Sequence, residues 1–98
     1  MKVLCGDIRG TNTRLALFEV AETVLEILEE ETFKSLESPT LEIIVSEFLQ
    51  KRRISSPLSG CFGIAGPVKI GICQTTNLPW FIRLSKLVSE LQTQRVCL

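Results

Sequence analysis

At 98 residues the chain has room for one small domain and excludes a two-lobed enzyme within its own length. Eleven basic and eleven acidic residues cancel. The single basic trio, Lys51-Arg52-Arg53, suits a helix C-terminus, so no nucleic-acid partner is expected.

Residues 2–7 and 14–20 read as strands. In the second, Leu15, Ala16, Leu17 and Phe18 are apolar on both alternating faces, as expected of an interior strand covered on both sides. Residues 24–33 fit two descriptions. Val24, Leu25 and Leu28 among glutamates suit a helix by propensity, whereas the short Ala21-Glu22 connection suits a hairpin. Ser38-Pro39 makes a helix start, with Ser38 as cap and Pro39 at the first position. Leu41, Ile44, Val45, Phe48 and Leu49 then follow the i, i+3, i+4, i+7, i+8 spacing, which predicts an amphipathic helix over 40–52, broken by Ser55-Ser56-Pro57. Residues 61–65 read as a buried strand, and Val68 to Cys73 as a short segment turning back around Gly71. Residues 75–79 form a polar loop. Ser85 caps a last helix with the stripe Leu87, Val88 and Leu91, and residues 95–98 begin one more strand. This order predicts an α/β sheet with an antiparallel start and a parallel continuation. No internal repeat or linker divides it, and the chain reads as part of a domain.

The 45% apolar content is that of a folded domain, and no apolar run approaches the roughly 20 residues of a membrane-spanning helix. The N-terminus does not read as a signal peptide. The four cysteines show no C-x-x-C spacing and histidine is absent, which argues against a zinc site. Cys5, Cys61 and Cys97 lie in apolar runs and are expected to be buried, reduced thiols, consistent with a cytoplasmic chain.

The chemistry-bearing stretch is Gly6-Asp7-Ile8-Arg9-Gly10-Thr11-Asn12-Thr13-Arg14. A strand, a tight polar turn and a second strand can present several backbone N–H groups to one anion. Asp7, at the strand end, is a hard oxygen ligand suited to Mg²⁺. The P-loop is excluded because Thr11, not lysine, follows Gly10, and the dinucleotide fingerprint is excluded because the turn leads into a strand. A strand–turn–strand phosphate loop remains, alongside the plain alternative of a polar hairpin turn.

Asp7 to Leu17 is similar to the D-x-G-G-T-N-x-R-x-A-L phosphate motif of bacterial-type glucokinases, in the sugar kinase, Hsp70 and actin superfamily. Gly63-Ile64-Ala65-Gly66-Pro67-Val68, followed by Thr75-Thr76-Asn77-Leu78-Pro79-Trp80, resembles the family's G-x-A-G-P-V and T-N-L-P-W blocks in order and spacing. The resemblance spans essentially the whole chain and corresponds to the family's N-terminal region. It implies a ribonuclease H-like, actin-like ATPase N-terminal domain, with residues 1–98 as a truncated N-terminal lobe and residues 24–33 as the third strand of a meander.

The activity implied is ATP-dependent phosphorylation of the 6-hydroxyl of glucose, with ATP and Mg²⁺ as cofactors. By resemblance, Asp7 holds Mg²⁺ through water, and Gly10, Thr11, Asn12 and Thr13 form the phosphate-binding set. Gly66 and Asn77 lie near the sugar. The family's catalytic base, an aspartate in an I-N-D-x-x-A segment, falls after the position matching Leu98, so the chain alone is expected to be inactive. The alternative is a non-catalytic remnant, or a binding half completed by a second chain or by a homodimer. The family's transcriptional repressors are a weaker third option. Arg9 stands where the family has glycine. It is expected either to strain the turn, by about 1–2 kcal/mol if φ is positive, or to pair with Asp7 or phosphate.

Overall fold

The computed structural model describes residues 1–54, 59–64, 68–69, 72–74, 81–91 and 96–97. Alternation is what organises it. Strand β1 (Lys2–Ile8) places Leu4 and Ile8 on one face and Cys5 and Asp7 on the other. Strand β2 (Asn12–Val20) runs antiparallel to it, with Leu4 opposite Leu17 and Gly6 opposite Leu15. Residues 25–34 form β3 (Leu25–Lys34), an edge strand antiparallel to β2 with an irregularity between Leu17 and Phe18. The hairpin reading of this segment is therefore the one realised. A 3-10 turn (Ser35–Glu37) leads to helix α1 (Leu41–Lys51), then β4 (Ser59–Ile64), which returns parallel to β1. Strands β5 (Val68–Lys69), β6 (Ile72–Gln74) and β7 (Phe81–Arg83) make a separate antiparallel sheet. Helix α2 (Leu84–Leu91) and strand β8 (Val96–Cys97) follow, and β8 pairs parallel with β4. The main sheet has the order β3-β2-β1-β4-β8, the expected antiparallel start and parallel continuation.

The core lies on one side of this sheet. Leu4, Ile8, Leu15, Leu17 and Phe62 pack against Leu41, Ile44, Val45, Phe48 and Leu49 of α1 and Leu87 and Leu91 of α2. The predicted stripe of α1 is thus the buried one. The two-sided cover expected of β2 is met in part among the described residues: Leu15 and Leu17 are buried beneath α1, and on the other face Ala16 is buried while Phe18 is partly exposed.

Helix ends differ from expectation for local reasons. Ser38, next to proline, is held extended and its N–H closes the 3-10 turn on the Ser35 carbonyl at 3.4 Å. The cap falls instead to Thr40, whose Oγ1 accepts from Ile43 N at 3.4 Å. At the other end Arg53 takes φ 53°, Ile54 N bonds Leu49 O at 3.0 Å, and Arg53 N bonds Gln50 O at 3.2 Å. That is a Schellman closure, and it ends α1 before Ser55-Ser56-Pro57, which lie outside the described residues. Helix α2 begins at Leu84, so Ser85 sits inside it rather than capping it. Strand β7 had no counterpart in the periodicity, being only three residues long. Cys61 is exposed and Cys5 half-buried, against the expectation of buried thiols, because both fall on the face without helices. The polar loop at 75–79 lies outside the described residues.

Candidate functional site

The Asp7–Thr13 stretch is a tight hairpin tip. Arg9 N donates to Asn12 O at 3.0 Å, which leaves Gly10 and Thr11 at the apex. Ser35, at the start of the 3-10 turn, holds this tip from beneath. Its Oγ donates to the Arg9 carbonyl at 2.7 Å, its N–H donates to the Thr11 carbonyl at 3.0 Å, and its hydroxyl lies 2.8 Å from Thr13 Oγ1. Ser35 and Thr13 are fully buried.

The carbonyls of Arg9, Thr11 and Asn12 are thereby committed to internal bonds. Neither the Gly10 nor the Thr11 N–H donates to another described residue. Carbonyls engaged within the chain beside amides that donate to no described residue are what an anion cradle requires. Thr11 and Asn12 are exposed at the apex. Thr13 is not: its side chain points into the core and its hydroxyl is engaged by Ser35, which makes it a support of the loop. Ser35 carries no motif and was missed, since its link to Arg9 spans 26 residues.

Asp7 ends β1 on the face away from the helices. Its Oδ2 lies 3.2 Å from Arg9 Nε, and both side chains are well exposed. Arg9 does not have positive φ; among described non-glycine residues only Arg53 does. The expectation of backbone strain at Arg9 is thus overturned, and pairing with Asp7 is the arrangement found. Across the sheet, Asp7 is the register partner of Arg14, whose Nη2 lies 2.6 Å from Glu30 Oε1. Cys5, Asp7, Arg14, Ala16, Phe18 and Glu30 line part of a concavity of about 280 Å³ on this open face. Among the described residues no group of three or more acidic, cysteine or histidine side chains gathers to hold a metal. Gly66 and Asn77 lie outside the described residues.

A glucokinase family model matches residues 4–98. The chain belongs to the glucokinase family. It is 43% identical over 91 residues to the glucokinase of Trichormus variabilis, covering 91% of this chain and 27% of that protein. It is 37% identical over 103 residues to the glucokinase of a Synechocystis species, covering 95% of this chain and 29% of the relative. A crystal structure of glucokinase from an Antarctic psychrotroph superposes with a TM-score of 0.85 at 27% identity, over 98% of this chain and 31% of that one. The glucokinase-family chain therefore spans about a quarter of the length of the curated relatives it matches, and its fold is that of the corresponding part of an α/β kinase domain.

Proposed function

We propose that this chain supplies the ATP-phosphate-binding part of an ATP-dependent glucose kinase, with ATP and glucose as substrates, and that residues 1–98 alone do not turn over. The observation that supports it most is the tip at residues 9–12, whose carbonyls are bonded inward and whose Gly10 and Thr11 amides donate to no other described residue. Those two amides would hold a phosphate of ATP, with the hydroxyl of Thr11 and the amide of Asn12 beside them. Asp7 would hold Mg²⁺ through water. Mg-ATP, when bound, supplies the transferable phosphoryl group; the chain's own part is to position it and balance its charge. Arg9 must swing from Asp7 for a cation to approach. An exposed pair is worth only about 0–1 kcal/mol, so this exchange is cheap and Arg9 does not block the site.

By family resemblance Gly66 and Asn77 are placed near the sugar and the base aspartate in a segment matching positions after Leu98. The same family inference points to the cytoplasm. A second reading is a binding half completed by another chain.

Calorimetric titration of the chain with Mg-ATP, and a glucose phosphorylation assay with and without the remaining three quarters of the Trichormus variabilis relative, test both. The expected results are ATP binding, no turnover by the chain alone, and turnover on complementation. Turnover by the chain alone refutes its inactivity. Failure of both ATP binding and complementation refutes the kinase reading. Arg9→Gly is expected to tighten Mg-ATP by no more than about fivefold; a larger gain would make Arg9 an inhibitor of the site.

A further inference from the structure

Two cysteines far apart in sequence become neighbours through the β1–β4 pairing. Cys5 and Cys61 are direct register partners in parallel strands. Side chains of such partners leave the sheet on the same face, here the face without helices. Paired strands lie about 4.8 Å apart, within the roughly 4.4–6.8 Å between Cα atoms that a disulfide spans. Burial raises the pKa of the Cys5 thiol, and the charge of a Cys61 thiolate raises it further, as expected of two sulfurs close enough to feel one another.

The surroundings leave the pair open to a reagent. Cys61 is exposed and Cys5 half-buried. The next residue of β4 on this face is Gly63, where an added Cβ would meet nothing nearer than the Gly6 carbonyl at 3.9 Å. On the other side Cys5 neighbours Ala16, a small side chain.

We propose that Cys5 and Cys61 form a vicinal dithiol, which small-molecule disulfides oxidise to a reversible intrachain bridge with Cys61 attacking first. In the first step the Cys61 thiolate attacks one sulfur of oxidised glutathione. A mixed disulfide forms, the glutathione S–S bond breaks, and the departing thiolate takes up a proton. The Cys5 thiolate then attacks Cys61 Sγ, forming the Cys5–Cys61 bond and releasing the second glutathione. Two protein thiols are oxidised and one glutathione disulfide is reduced to two thiols. Because Cys61 is exposed, the bridge stays open to thiol reductants. Cys97 is the register partner of Cys61 on its other side, in β8, and is the natural competitor. Among the described residues β1 shares six register pairs with β4 and β8 shares two, and Cys5 feels the charge of Cys61, which makes Cys5 the partner of choice.

The four cysteines fall in four different tryptic peptides, bounded by Lys2, Arg9, Arg53, Lys69, Arg83 and Arg95, which makes the test direct. The reduced chain is treated with oxidised glutathione, alkylated and mapped by mass spectrometry without reduction. The expected product links the Cys5 and Cys61 peptides and reverts with dithiothreitol. Cys5→Ser, checked for folding by circular dichroism, should instead retain glutathione on Cys61, at least about tenfold more than the unaltered chain. Binding of phenylarsine oxide, which needs two adjacent thiols, provides a second readout on the unaltered chain and should be lost in Cys61→Ser. Stable glutathione on Cys61 of the unaltered chain, or a bridge from Cys61 to Cys73 or Cys97, overturns the proposal.

Discussion

With its hydroxyl 2.8 Å from Thr13 Oγ1 and 2.7 Å from the Arg9 carbonyl, Ser35 ties both sides of the turn at residues 9–12 to the chain that leaves β3. Replacing it by alanine leaves the fully buried Thr13 hydroxyl without this partner and frees the Arg9 carbonyl. An orphaned buried hydroxyl costs about 1–3 kcal/mol, which in a domain this size lowers Tm by roughly 4–8 °C per kcal/mol. Ser35→Ala should therefore melt well below the unaltered chain by circular dichroism; a shift under about 2 °C would mean the clamp is dispensable. The contrast with Asp7, Gly10, Thr11 and Asn12 is instructive. Those residues are adjacent in sequence and spell a turn chemistry on their own, so they are legible without a structure. Ser35 reaches the turn only because β3 pairs with β2 in one register, and the composition of residues 24–33 left strand and helix both open. The clamp was invisible for the same reason that segment was ambiguous.

Among the elements, β1 shows how one strand serves two faces. Gly6 and Gly63 lie on β1 and β4, but a side chain at each would meet different surroundings. A Cβ at Gly6 would sit 2.5 Å from Phe62 Cδ1 and 3.1 Å from Leu15 Cδ2, beneath a fully buried ring with no room to withdraw. A Cβ at Gly63 would meet only the Gly6 carbonyl, at an ordinary contact distance of 3.9 Å. Gly6→Ala should destabilise the chain by about 1–3 kcal/mol through overpacking, whereas Gly63→Ala should stay within about 0.5 kcal/mol. Urea unfolding of both variants checks this, and equal losses would contradict the one-sided core. Elements with a long apolar stripe were readable: α1 is where the spacing of Leu41, Ile44, Val45, Phe48 and Leu49 puts it. Its start was not, because Ser38 is taken by the 3-10 turn and Thr40 is left to cap. Strand β7 was not readable either, since Phe81-Ile82-Arg83 is too short to show a period.

The described residues form a main sheet with helices on one face, and β3 is its edge strand, paired with β2 alone. Nearly all of β3 is exposed, including Leu25, Ile27 and Leu28. It reaches the helical layer through Phe33, packed against the core, and through a set of ion pairs. Arg52, stacked 4.2 Å from the centroid of the Phe48 ring, places Nη1 2.8 Å from Glu31 Oε1 and Nε 3.6 Å from Glu29 Oε2. Lys51 Nζ lies 3.4 Å from Glu31 Oε2. Burial alone would push the Glu31 carboxyl up, but hydrogen bonds and charge from Arg52 and Lys51 outweigh it and hold the carboxyl below its ordinary range. A carboxyl lowered in the folded state stabilises the chain fully above its unfolded pKa, and that contribution is lost as pH falls through the folded value. The run of glutamates reads in the sequence as a solvated edge, and only the β2–β3 register turns Glu29 and Glu31 toward α1. Glu31→Gln should therefore lower stability at neutral pH by about 0.2–1 kcal/mol, the range of partly exposed pairs. In acid the gap should close, because the unaltered chain then carries a neutral side chain too. Urea midpoints of both chains across an acid series measure it, and a gap that stays constant with pH would show that the Glu31 charge does not hold β3 to the helical layer.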